Sequence, residues 1–292
     1  MKRKKWLLAA EHSAGIPALT DRLIHGDSFA VLPLLPRGFA RLVIADPPYN
    51  LSKQYASTAF AARPAAAYRA YTERWLSLVL PLLSDDGSLY ICCDWKSSIV
   101  IADVLSDCEA RGALVLRNRI TWEREKGRGA AANWKNSMED IWFATKSARY
   151  TFNASAVKMR RRVVAPYRTD GKPKDWVDDG NGGFRDTCPS NFWNDISVPF
   201  WSMAENTAHP AQKSEKLLAK LILASSDAGD LVFDPFAGSG STLVAAKKLS
   251  RHWCGVEQEA QYCAWAQYRL VRADRDRMIQ GFEDGIFHAR ND

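Results

Sequence analysis

Two kinds of apolar pattern alternate along this chain. Leu42–Ala45, Ser88–Cys93, Leu231–Asp234 and Trp253–Glu257 are short, nearly continuous apolar runs, the pattern of strands buried on both faces. Between them, apolar residues recur every three or four positions. Tyr71, Trp75, Leu78, Val79 and Leu82 predict a helix over Tyr68–Leu83, ended by the turn Asp85-Asp86-Gly87. The same spacing predicts helices over Ile99–Arg111, closed by Gly112, and over Lys213–Ser225, Thr242–Leu249 and Ala260–Arg275. Strand–helix–strand alternation of this kind folds as a doubly wound, mostly parallel α/β sheet with helices on both faces. The rhythm breaks over 151–208, where an arginine run, a Gly-rich turn and scattered aromatics show no period. The chain therefore divides into 1–150, an insertion over 151–208, and a returning α/β part over 209–292.

Two strand ends carry the candidate chemistry. Leu231–Asp234 runs through Pro235 into Phe236-Ala237-Gly238-Ser239-Gly240-Ser241-Thr242, a glycine-containing loop that opens a helix. Gly238 and Gly240 let backbone approach a ligand closely, and the helix start offers free N–H groups and a positive dipole end. Glu257 ends the next strand, where an acid can bond ribose hydroxyls. Gly-Lys-Ser/Thr is absent and the G-x-G-x-x-G pattern is incomplete, which argues against a triphosphate P-loop and a dinucleotide site. An adenosine-containing cofactor suits what remains; a tight strand–helix turn is the plainer alternative. The second strand end is Asp46-Pro47-Pro48-Tyr49. Its prolines stiffen the turn, remove two donors and leave carbonyls free to accept, beside a carboxylate and a flat ring. That set suits an exocyclic amino group on a nucleobase, although a proline-capped strand end explains the same residues.

Taken together, these motifs resemble those of the S-adenosylmethionine-dependent DNA amino-methyltransferases. D-P-P-Y stands well upstream of F-x-G-x-G, and His209-Pro-Ala-Gln-Lys213 lies between them, much like the family's H-P-T-Q-K-P element. This order resembles the β class. His25-Gly-Asp27-Ser28 and Glu139-Asp-Ile-Trp-Phe143 are further echoes. The resemblance implies a Rossmann-like methyltransferase sheet with an inserted target-recognition region and S-adenosyl-L-methionine as cofactor. It implies cofactor contacts from Asp27, Ser28, Asp46, Pro47, His209, Lys213, Asp234, Phe236–Thr242 and Glu257. Within these, Phe236–Ser241 would wrap the methionine part, Glu257 the ribose, Asp27 and Ser28 the adenine, and Lys213 the carboxylate. Two positions depart from the pattern: Ala211 replaces the usual Thr, and Ser214 the second Pro, where a Ser can cap a helix.

The implied chemistry needs no metal and no covalent intermediate. Asp46 and the Pro47 carbonyl would accept from the adenine amino group and localise its lone pair, with Pro48 holding the turn. The base would be flipped out and stacked on Tyr49. Asp at the head of the tetrad favours N6 of adenine over N4 of cytosine. An inactive specificity subunit is disfavoured by the intact motifs, and RNA or protein-glutamine substrates by the basic insertion.

Charge sharpens the partner. The chain of 292 residues carries +7, but Arg117–Lys174 holds fifteen Lys/Arg against five Asp/Glu, so this stretch alone carries +10. Double-stranded DNA is the expected partner. Arg128, Lys135, Arg160, Arg161, Arg162, Arg168, Lys172 and Lys174 are the candidate contacts, with Gly127-Arg128-Gly129 in a closing loop. The six cysteines form no C-x-x-C pair, so no metal site is expected, and Cys92-Cys93 reads as core. The basic start Met1–Lys5 is followed by too short an apolar run for a signal peptide, and no run approaches a membrane span. The expectation is a cytoplasmic protein associated with the nucleoid through DNA. The resemblance allows a homodimer and a cognate restriction endonuclease as protein partners, with an orphan regulatory methylase as the alternative to the latter.

Overall fold

The computed structural model describes residues 7–9, 16–124, 132–163, 167–178, 180 and 183–288. Its centre is a nine-stranded sheet. In spatial order the strands are Leu7–Ala9, Arg22–His25, His252–Glu257, Leu231–Asp234, Ala40–Ala45, Leu83–Cys93, Met138–Thr145, Val115–Glu123 and Phe192–Trp193. The first six are mutually parallel, while Met138–Thr145 runs antiparallel to both of its neighbours. The expected α/β, mostly parallel sheet is therefore present.

Chain order and spatial order part company at the middle. Leu231–Asp234 lies beside Ala40–Ala45, with Val232 level with Leu42 and Phe233 with Val43. From this pair the chain winds outward in both directions, to Leu83–Cys93 on one side and His252–Glu257 on the other. A crevice opens at such a switch point, beyond the carboxyl ends of the strands.

Helices cover both faces. Trp75 and Val79 of Ala65–Val79 pack with Ile101 and Leu105 of Trp95–Ala110 over Val43 and Phe233. On the other face, Leu218 and Ile222 of Glu215–Ser225, Val244 of Ser241–Lys248 and Ala266 of Ala260–Arg272 pack over Leu42 and Val232. Adjacent residues of one strand thus feed opposite cores, as a two-residue period requires. Ser214 caps Glu215–Ser225 by accepting from the Lys216 N–H at 3.2 Å.

Three details differ from the sequence reading. Asp85-Asp86-Gly87 is part of the strand Leu83–Cys93, not a turn; a register slip opposite Ala40/Leu42 absorbs it, and Asp86 pairs with Arg41. The antiparallel strands Val115–Glu123 and Met138–Thr145 carry polar and half-exposed positions, such as Arg117, Asn118 and Arg119, that blur the buried-strand pattern. The segment 151–208 is also less self-contained than its irregular composition suggests. Met159–Arg162 pairs with Phe184–Thr187 and with Ile286–His288 near the chain's end, while Phe192–Trp193 extends the central sheet. Buried Lys220 meets both oxygens of buried Asp195, at 2.8 and 2.7 Å, fastening this region to Glu215–Ser225. Among the described residues no helix is long and apolar enough to cross a membrane.

Candidate active site

The strand register brings the two motifs together. Asp46–Tyr49 leaves the end of Ala40–Ala45, and Phe236–Gly240 leaves the end of its neighbour. A cavity of about 380 Å³ opens between them. Every residue expected to hold the cofactor lines it except Gly240, and so do Pro48 and Tyr49.

On the loop side, Gly238 has φ +52° and Gly240 φ +79°, conformations that favour glycine. The Gly238 N–H donates to Glu257 Oε2 at 2.8 Å, and the Glu259 N–H to Oε1 at 2.7 Å. Glu257 thus braces the loop as well as facing the cavity, and burial pushes its carboxyl up. Asp234 is buried and accepts from the Phe236 N–H at 2.9 Å; burial raises its carboxyl to about 7. Ser28 donates to the Pro235 carbonyl, and Asp27 caps the short helix Ser28–Val31 by accepting from the Phe29 N–H at 3.1 Å. His209 packs against Gly238 and edge-on to Tyr262, and burial pushes its imidazole down to about 4.

On the motif side the side chains form a tight network. Asp46 Oδ2 accepts from Lys213 Nζ at 2.7 Å, and Oδ1 from the Tyr49 hydroxyl at 2.9 Å. Tyr49 also reaches Glu139 Oε2 at 3.1 Å, and Lys213 Nζ lies 3.3 Å from the same oxygen. Burial and the neighbouring carboxylates push the Tyr49 phenol well up, so it stays protonated. Lys213, expected at a ligand carboxylate, lines the cavity and pairs with two carboxylates of the chain itself, Asp46 and Glu139. Tyr49, expected to stack the base, also lines the cavity, half-buried and anchored through its hydroxyl.

The chain after Tyr49 folds across the opening as a small hairpin, Lys53–Gln54 with Ala59–Phe60. Ser57 donates from N–H and hydroxyl to Glu259 Oε2, at 3.1 and 2.6 Å, and the Ala56 N–H to the Tyr262 hydroxyl at 3.1 Å. Glu259 Oε1 is buried and has no hydrogen-bond partner among the described residues.

Residues beyond the motifs also build the site. Arg269, 5% exposed, donates to the Ser239 carbonyl at 3.0 Å, Ser241 Oγ at 2.8 Å and Glu215 Oε1 at 2.8 Å, holding the glycine loop from behind. It falls on the same helix face as Tyr262, Cys263, Ala266 and Leu270, so an arginine inside an apolar stripe was the available signal. Glu139 stands in the sequence as the head of Glu139-Asp-Ile-Trp-Phe143, which gives no sign of its contacts with Lys213 and Tyr49.

The proposed nucleic-acid contacts separate by environment. Arg160 makes two bonds to Asp186, both 3.0 Å, and lies over the Phe184 ring; Arg168 pairs with Asp178 at 3.1 Å. Arg161, Arg162, Lys172 and Lys174 are exposed, and Lys135 is half-buried. Arg128 and the surrounding Gly127–Gly129 turn lie outside the described residues. Part of the positive excess is used internally: Arg117 bonds Thr145 and Ser147, and Arg124 pairs with Glu139 at 3.1 Å.

The sequence model described as DNA methylase, covering N6 and N4 enzymes, matches residues 40–268. The DNA adenine methyltransferase YhdJ of Escherichia coli (strain K12) is 31% identical over 263 residues, spanning 85% of this chain and 82% of that one. Among solved structures, the PvuII DNA methyltransferase (cytosine-N4-specific) superposes with a TM-score of 0.64 at 20% identity, covering 85% of each chain. The M1.HpyAVI–SAM complex superposes with a TM-score of 0.57 at 23% identity, covering 85% of this chain and 98% of that one.

Proposed function

The chain belongs to the N6/N4 DNA methylase family, and on that premise we propose that it transfers the methyl group of S-adenosylmethionine to the N6 amino group of adenine in double-stranded DNA. The observation that carries this reading is the position of Asp46. Its carboxylate heads D-P-P-Y, faces the cavity with its side chain 20% exposed, and stands beside the glycine loop.

The residues present suit the cofactor. The cavity is of small-ligand size, within the roughly 300–1,000 Å³ typical of such sites. Glu257 and Asp27 supply acceptors for hydroxyl and amino groups, the glycine loop offers close backbone, and Glu259 Oε1 is a buried acceptor with no donor among the described residues. When bound, the cofactor's sulfonium supplies an activated methyl group. The remaining work falls to the chain. Asp46, held by Lys213 and Tyr49, has lone pairs left to accept one amino N–H, and the Pro47 carbonyl accepts the other. Two acceptors draw the nitrogen lone pair out of the ring system and aim it at the methyl donor, which makes catalysis a matter of position. The base reaches this depth only when flipped from the duplex. Exposed Arg161, Arg162, Lys172 and Lys174 supply phosphate contacts.

Nucleoside mass spectrometry of DNA incubated with the protein and S-adenosylmethionine tests the reading. N6-methyladenine is expected, and N4-methylcytosine as the sole product overturns it.

A further inference from the structure

Four charged groups line up with alternating sign, the middle two buried and the outer two partly exposed. Asp46 meets Lys213 at 2.7 Å, Lys213 meets Glu139 at 3.3 Å, and Glu139 meets Arg124 at 3.1 Å. The Lys213 and Glu139 side chains are 8% and 5% exposed. Burying the Lys213–Glu139 pair is costly, so the arrangement calls for a reason beyond stability. D-P-P-Y chemistry needs a carboxylate at Asp46; it needs neither the lysine nor the second acid.

We propose that Glu139 is a positioning residue for methyl transfer, which acts by sharing the Lys213 ammonium and so preserves Asp46 as an acceptor for the base. A desolvated ammonium at 2.7 Å fixes the Asp46 rotamer, but it also draws charge from the carboxylate and weakens it towards a neutral N–H donor. A second carboxylate on the same ammonium divides that pull. Tyr49 reports the same sharing, since its hydroxyl reaches both acids, at 2.9 and 3.1 Å. The sheet makes this possible: Met138–Thr145 pairs with Leu83–Cys93, itself the neighbour of Ala40–Ala45, so Glu139 ends two strands from Asp46. The inference rests on the reading of Asp46 as amino-group acceptor.

A double-mutant cycle tests it, using Glu139→Gln, Lys213→Met and the pair, with methylation rate, cofactor affinity by calorimetry and Tm measured for each. In the parent, Glu139→Gln should lower kcat about tenfold or more while cofactor Kd and KM for DNA stay within about twofold. With Lys213→Met in place, the same substitution should leave kcat unchanged or raise it, because the ammonium that Glu139 shares is gone and only a like charge near Asp46, still paired with Arg124, is removed. Equal losses in both backgrounds, or a rate loss matched by a loss of cofactor affinity, overturn the proposal. Should Lys213→Met fail to fold, Glu139→Asp decides: kcat recovered to within about threefold of the parent supports a charge role, and losses equal to Glu139→Gln refute it. Asp46→Ala run alongside separates the two readings. An active Asp46→Ala protein removes the acceptor itself, whereas an inactive one beside a fully active Glu139→Gln protein removes only the role of Glu139.

Discussion

Gly240 is packed against Ala266 so closely that a Cβ on Gly240 would stand 2.6 Å from the Ala266 Cβ and 3.1 Å from its Cα. The space that the glycine clears is therefore occupied by helix Ala260–Arg272, while Gly238 is the glycine set against His209 at the cavity. Combined with φ +79°, the contact makes Gly240→Ala a stability mutation. It should cost about 2 kcal/mol or more and lower Tm by roughly 4–8 °C. Thermal unfolding checks this; an unchanged Tm with lost cofactor affinity would make Gly240 a ligand-clearing residue instead.

Asp46→Ala should reduce methyl transfer more than about tenfold, or 1.4 kcal/mol of transition-state stabilisation, while cofactor affinity changes only a few-fold. The residue lies on the neighbouring strand end, and the glycine loop is braced independently by Glu257 and Arg269. Rates and calorimetry on one preparation distinguish this from general damage to the site.

His209 links the site to acid stability. Its imidazole is pushed down to about 4 by burial, so between about pH 6.5 and 4 the unfolded chain binds a proton that the folded chain refuses. Stability falls with pH across that window, by up to about 1.4 kcal/mol per unit from this residue. Asp234 and Glu205, both raised to about 7 by burial, act oppositely, contributing most at low pH and losing that contribution as pH rises towards 7. Comparing His209→Asn with the parent cancels them. The stability difference should move in favour of the variant as pH drops from 6.5 to 4, and parallel curves would show that His209 titrates normally.

The arginine run should divide by partner. Arg161 and Arg162 are exposed, whereas Arg160 is committed to Asp186. Replacing Arg161 and Arg162 with Ala should weaken binding to any duplex and flatten the log K against log salt slope by about one to two units. Arg160→Ala should leave that slope near its parental value. Anisotropy titrations over a range of NaCl concentrations measure both, and a flattening confined to Arg160→Ala would reverse the assignment.

What could be read in advance was what depends on neighbours in sequence. Leu231–Asp234 was legible because four buried positions in a row have few other homes, and Ser214 because a cap acts two residues away. Lys213 was legible as a residue of interest but not in its contacts. Its partners lie 167 and 74 positions away, and only the sheet register decides that they meet. Val115–Glu123 was obscured because an antiparallel edge region tolerates polar side chains on its open face. Arg160 looked like its two neighbours until Asp186 appeared opposite it on the next strand.

The pairing of Leu42 with Val232 also bears on how the protein comes into being on the ribosome. Some 190 residues separate them. At about 5–20 residues per second, roughly 10–40 s of synthesis must pass between the two strands. During that interval Ala40–Ala45, apolar but for Arg41, has Leu83–Cys93 on one side and an unsatisfied edge on the other. Such an edge is a template for pairing with another chain, so yield on expression should respond to translation rate and to chaperones that shield nascent strands. The candidate active site, split between the two strand ends, is among the last parts of the molecule to exist.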